Sequence, residues 1–131
     1  MRTPAEILRD ARTIAVVGAS PRPNRPSHGV MRYLLEHGYR VIPVRPRDCD
    51  EVLGVPCVAS LGEIGEPVDL VDVFRRPEFC ADVAREAVAA GAGALWLQLG
   101  IVSPEARRIA LDGGLDYVED ECTAIVHRKE L

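Results

Sequence analysis

The sequence predicts an α/β fold: a doubly wound, five-stranded parallel sheet with helices on both faces, three layers in all. Three observations predict it. Short apolar runs alternate along the chain with helical stretches of about 10–14 residues, the mark of βαβ units. Several of those runs, Thr13-Ile14-Ala15-Val16-Val17 among them, are continuously apolar rather than alternating, which suits strands covered on both faces. The 131 residues fit one domain, since domains run roughly 100–150 residues, so residues 1–131 are read as a single unit. Crossovers between parallel strands are right-handed almost without exception. The expected result is a Rossmann-like sheet with its five strands in the spatial order 3-2-1-4-5.

Thr3, Pro4 and Glu6 form a capping box with proline at the first helical position, so a helix is expected over about residues 4–12. The first strand runs from Thr13 to Gly18. A loop rich in Pro and Arg follows to Pro26. Ser27 is then read as the cap of a helix with Val30, Tyr33, Leu34 and His37 on one face, ending at Gly38. Tyr39 to Val44 is the second strand, residues 45–56 read as loop, and Ser60 opens a short helix ending near Gly65. Val68 to Phe74 is the third strand, and Pro77-Glu78 starts a helix that stops at Gly91. Ala94 to Gln98 is the fourth strand, Ser103-Pro104-Glu105 opens a helix stopping at Gly113-Gly114, and Asp116 to Glu119 is the fifth strand.

Composition narrows the function. With 16 Lys plus Arg against 20 Asp plus Glu, the formal net charge is −4, which argues against a protein that lives on nucleic acid. No apolar stretch approaches the roughly 20 residues that span a bilayer, and the first ten residues have no signal-peptide pattern, so no membrane partner and a cytoplasmic protein are expected. Cys49, Cys57, Cys80 and Cys122 form no CxxC pair and have no zinc-like spacing to His. No metal is therefore expected. In a cytosolic chain a disulfide framework is not expected either, and Cys49, Cys57 and Cys80 are read as small buried or half-buried hydrophobes.

Ligands of open α/β sheets bind beyond the carboxyl ends of the strands. That rule selects the loops after Gly18, Val44, Phe74, Gln98 and Glu119. In the first, Gly18, Ala19 and Ser20 turn the chain into Arg25, Pro26 and Ser27 at the next helix start, where free amides and the helix dipole favour an anion. Arg22 and Arg25 add positive charge suited to phosphate. The spacing is neither GxGxxG nor a Walker A loop, and the plain alternative is an ordinary loop with solvated arginines. The second strand ends Val44-Arg45-Pro46-Arg47, with no acidic residue for ribose hydroxyls. Two guanidiniums there favour a ribose phosphate, hence NADP or coenzyme A over NAD. Phe74, followed by Arg75, either stacks on an adenine or packs in the core. Asp72 is read as a structural hydrogen-bond acceptor. Gln98 and Gly100 offer an amide and a close backbone approach. Cys122 lies at the ligand edge, but a nucleophile would need a basic partner, His127 being nearest in sequence, and three acidic neighbours precede it. No convincing acid–base pair emerges, so binding without reaction is the expected role, and no enzyme.

Val16-Val17-Gly18-Ala19-Ser20 with Arg25-Pro26-Ser27, then Gly38 to Val44, Val71-Asp72-Val73-Phe74-Arg75, Leu95 to Ile101 and Asp120-Glu121-Cys122, resemble in order the small bacterial CoA-binding proteins. That family is similar to the N-terminal CoA-binding domain of the succinyl-CoA synthetase α subunit. The resemblance implies a Rossmann-like domain that binds coenzyme A through the Gly18–Ser20 turn and the loops after Val44, Phe74 and Gln98. Two departures are Arg45, where members often carry a small or neutral residue, and Glu121, where they often carry arginine. Coenzyme A or an acyl-CoA is the expected ligand. An NADP-binding domain and a partner module of an acyl-CoA enzyme are the alternatives, and a homo-oligomer is compatible with each.

Overall fold

In the computed structural model, which describes Met1–Leu131 throughout, Thr3 caps the first helix, α1 (Pro4–Asp10). The Thr3 hydroxyl accepts from the Glu6 N–H at 3.2 Å and the Glu6 carboxylate accepts from the Thr3 N–H at 2.8 Å, as the capping box predicts. The chain then alternates: β1 (Thr13–Val17), α2 (Pro26–Glu36) and β2 (Arg40–Val44). A small antiparallel hairpin follows, β3 (Glu51–Val52) with β4 (Val55–Pro56), and then a single 3₁₀ turn at Leu61–Glu63. β5 (Leu70–Val73), α3 (Pro77–Ala89), β6 (Ala94–Leu97), α4 (Pro104–Asp112), β7 (Asp116–Val118) and α5 (Thr123–Glu130) complete it.

All five strands of the main sheet are parallel, in the order β2-β1-β5-β6-β7. Numbering those strands one to five, the order is 2-1-3-4-5, which corrects the expected 3-2-1-4-5. The physical reason lies in Pro43. It has no N–H and so cannot serve a second ladder, which confines its strand to a sheet edge. On that outer side only the Pro43 carbonyl is used, accepting from the Val58 N–H at 3.0 Å, while Arg45 N–H returns to the Val58 carbonyl at 2.9 Å. β5, buried along its whole length, takes the interior place beside β1.

Period-two alternation divides the core between the faces. Ala15, Val17, Val71, Val73, Leu95 and Leu97 pack with Cys80, Val83, Ala84 and Ala87 of α3 and with Ala106 and Ala110 of α4. Ile14, Val16, Leu70, Ala94 and Trp96 pack with Ile7 and Leu8 of α1 and Met31 and Leu34 of α2. α5 lies on this second face against α1 and α2, and Trp96, fully buried, donates its Nε1–H to the Glu121 carbonyl at 2.8 Å just before it.

Four more local points depart from expectation. Arg25, not Ser27, is the N-cap of α2; Pro26 takes the first helical position and Ser27 lies inside the first turn, buried. Residues 45–56 are not all loop, because the β3–β4 hairpin folds back within them. That hairpin brings the Cα atoms of Cys49 and Cys57 to 6.0 Å, and the two are joined in a disulfide rather than standing as separate thiols. Finally, α5 has no counterpart among the expected elements.

Candidate functional site

The order of strands fixes where a ligand can sit. β1 leads outward to β2, and β5 leads the other way to β6 and β7, so the switch point falls between the carboxyl ends of β1 and β5. Gly18 occupies that point with φ +88°. A Cβ there would stand 2.9 Å from the Phe74 carbonyl oxygen, so only glycine lets the β1–α2 turn close against the β5–α3 loop. The ladder runs on into the loops. Gly18 N–H donates to the Val44 carbonyl at 3.1 Å, Phe74 N–H to that of Val17 at 2.8 Å, and Gln98 N–H to that of Val73 at 3.2 Å.

Two cavities flank this point. The first, about 520 Å³, lies toward α2 and α5. Gly18, Ser20, Arg22, Arg25, Pro26 and Ser27 form its polar end, and Phe74, Gln98, Leu99, Ile101, Cys122 and Ile125 form the rest. The second, about 490 Å³, lies toward α3, with Ala19, Val44, Pro46, Arg47 and Arg75 on its walls beside Ala59, Ser60 and Leu61. Gly18 and Arg45 line both. Arg45 is held at this junction: its Nε–H donates to the Arg47 carbonyl at 2.9 Å and an Nη1–H to the Ala19 carbonyl at 3.2 Å. The remaining guanidinium N–H groups stay available for an anion.

The polar end suits phosphate. Ser20, buried, accepts from the Arg22 N–H at 3.1 Å, which tightens the turn. No side chain caps α2, so the positive end of its dipole faces the cavity unneutralised, with Arg22 and Arg25 beside it. Phe74 is half-buried against the α1/α2 core, yet it keeps a surface in the first cavity. Arg75 lies over the Phe79 ring at 4.3 Å. Gly100 stands apart from both cavities: it is a turn residue with φ +83°, and its N–H donates to the Asp120 carboxylate at 2.7 Å.

Beneath the first cavity lies a buried polar network. Asp72 is wholly buried, accepting from Gln98 Nε2 at 2.5 Å and from the Thr123 hydroxyl at 2.9 Å. Gln98 Nε2 also donates to Thr123 Oγ1 at 3.0 Å. Burial pushes the Asp72 carboxyl up to about 7, against the two hydrogen bonds that favour its ionised form. Asp72 is thus the structural acceptor the sequence suggests. Cys122 lines the first cavity at the N-cap of α5, but His127 does not serve it: its Nδ1 is hydrogen-bonded with the Tyr33 hydroxyl at 2.8 Å.

The sequence reading missed Val30, Ile125 and residues 59–61 as walls of these cavities. Ile125 belongs to α5. Residues 59–61 are brought in by the pairing of Val58 with Val44. Neither feature has a local signal in the chain.

A glycine turn, an uncapped helix start and a set of arginines around the switch point of a doubly wound sheet define a Rossmann-like ligand-binding domain. The chain belongs to the CoA binding domain family, whose pattern matches residues 12–128. It is 43% identical over 122 residues to the uncharacterized protein YneT of Bacillus subtilis (strain 168), spanning 93% of this chain and 90% of that one. The cell-free ID.343 structure from Thermus thermophilus is 42% identical, with a TM-score of 0.93 over 99% of this chain and all of its own. A more distant likeness, of fold alone, is to the dinucleotide-forming acetyl-coenzyme A synthetase 1 of Ca. Korarchaeum cryptofilum. It is 24% identical with a TM-score of 0.73, over 82% of this chain and 26% of that one.

Proposed function

We propose that this protein binds coenzyme A or an acyl-CoA non-covalently and carries out no reaction step of its own. The observation that carries the reading is the pair of cavities meeting at Gly18 and Arg45, one with a basic polar end and an apolar far wall. Coenzyme A has that distribution: an adenosine with a 3′-phosphate, a diphosphate, and a long uncharged arm. The diphosphate is assigned to Gly18, Ala19, Ser20 and Ser27 with Arg22 and Arg25, and the 3′-phosphate to Arg45 and Arg47. The adenosine then occupies the second cavity, and the arm runs past Phe74 to Gln98 and Cys122. Membership of the CoA binding domain family supports the same ligand.

A thermal-shift titration of ligand-stripped protein with coenzyme A, NADP, NAD and ATP tests it. A ligand that binds only the folded state adds roughly 2.7 kcal/mol of stability at a hundredfold excess over its Kd. Coenzyme A is expected to raise the melting temperature selectively. A shift with NADP and none with coenzyme A would transfer the site to the NADP reading, which the basic loop after β2 also suits.

A further inference from the structure

Gln98 is held in one orientation by Asp72 and Thr123, neither of which lines either cavity. Its Nε2 reaches both Asp72 Oδ1 at 2.5 Å and Thr123 Oγ1 at 3.0 Å, so both amide hydrogens are taken inside the protein. The Thr123 hydroxyl hydrogen goes to Asp72 Oδ2 at 2.9 Å, which leaves Oγ1 free to accept from Gln98. Above about pH 7, where Asp72 is ionised, the circuit has one sense only, because a carboxylate accepts and never donates. Gln98 Oε1 accepts nothing from the protein and is not among the buried polar atoms left without a partner, while Gln98 itself walls the first cavity. Close by, the loop offers little in the way of donors: Gly100 N–H is bound to Asp120, and Ile101 N–H to the Gln98 carbonyl at 2.9 Å.

We infer that Gln98 is a fixed hydrogen-bond acceptor that selects an amide N–H of the ligand's uncharged arm, and that Asp72 and Thr123 are positioning residues that forbid the flipped amide. This deepens the coenzyme A reading and rests on it. Phe74, Leu99 and Ile101 supply the apolar walls along which such an amide lies. A hydroxyl or thiol would adapt to either face of the Gln98 amide by rotating; an N–H cannot, so the orientation matters only for an amide.

Asp72→Asn separates the alternatives at nearly constant shape. In that variant the new carboxamide keeps the Thr123 hydroxyl hydrogen on its oxygen only by turning its NH₂ to Gln98, which then turns its own oxygen inward and presents N–H groups to the cavity. The test is calorimetric titration at pH 8 with two ligands: coenzyme A, and adenosine 3′,5′-bisphosphate, which lacks the arm. Asp72→Asn, Gln98→Leu and Thr123→Val are each expected to weaken coenzyme A about tenfold and leave the bisphosphate unchanged. Thr123→Ser, which keeps the hydroxyl, is expected to behave as wild type. Melting curves confirm that each variant is folded. Equal weakening of both ligands would mean a merely structural role and would overturn the inference, as would unchanged affinity for both. Wild-type protein that binds neither compound would overturn the coenzyme A reading itself, and this inference with it.

Discussion

At the scale of single residues, the site depends on groups that are unusual for their surroundings. Gly18 is one: its positive φ and the missing Cβ against the Phe74 carbonyl let two loops close on each other, which any side chain would push apart. Asp72 is the other, a carboxyl wholly buried at the centre of the sheet, level with Val16 and Trp96 in the neighbouring strands. Its folded-state value near 7 lies above the 3.8 of a free aspartate, so between those values the folded protein holds a proton that the unfolded chain has released. Stability attributable to Asp72 is therefore undiminished below about pH 4, declines as pH rises, and reaches its full loss above about pH 7. The loss is on the order of 4 kcal/mol. Asp72→Asn, which cannot ionise, is expected to gain stability relative to wild type across that window. Denaturant unfolding of both proteins from pH 4 to 8 checks it, and a stability difference that does not change with pH would refute it.

At the scale of elements, the least regular stretch of chain carries the most consequence. The β3–β4 hairpin hangs Arg45 and Arg47 at one end and residues 59–61 at the other, and the Cys49–Cys57 bond ties its base. Closing so short a loop contributes about 2 kcal/mol by restricting the unfolded chain. Wild-type protein is thus expected to melt lower in reductant, while a Cys49→Ser, Cys57→Ser double variant melts at the lower temperature with or without it. Identical wild-type melting in both conditions would show that the bond does not form. The main strands and α1 to α4 were legible because each has a local cause: a capping box at Thr3, proline at first helical positions, glycines after helix ends, and continuous apolar runs between. α5 was not, since Thr-Ala-Ile-Val-His-Arg-Lys-Glu has no apolar period and is stabilised by burying Thr123 and Ala124 on a sheet face the chain does not announce. The strand order was partly written in Pro43, whose missing N–H requires an edge. Among the residues singled out at the carboxyl edge, most were brought together because topology alone puts those loops side by side. The disulfide and the Gln98–Asp72–Thr123 circuit join residues distant in sequence or across an unforeseen turn, and no spacing rule reaches them.

At the scale of the whole molecule, a chain of net charge −4 keeps a positive rim around one crevice. Arg22, Arg25, Arg45, Arg47 and Arg75 all line the two cavities, while Asp48 and Glu86 are the only carboxylates on their walls. Elsewhere some arginines are paired with acids, as in Arg2 with Asp116, Arg40 with Glu66 and Arg85 with Asp82, whereas the five on the cavity walls form no ion pair. A polyanionic ligand is then drawn to the rim by field as well as by contact, and that attraction is screened by salt. Coenzyme A affinity is expected to fall as ionic strength rises from about 10 mM to 0.5 M, and to fall less steeply for dephospho-coenzyme A, which lacks the 3′-phosphate. Replacing Arg45 and Arg47 together by alanine is expected to abolish the preference for coenzyme A over its dephospho form, a preference of about tenfold or more for a charge-assisted phosphate contact. Titrations of both ligands against both proteins at three salt concentrations check this. A double variant that still prefers coenzyme A with the wild-type salt slope would place the 3′-phosphate elsewhere on the rim, with Arg22, Arg25 and Arg75 the remaining cations that reach the cavities.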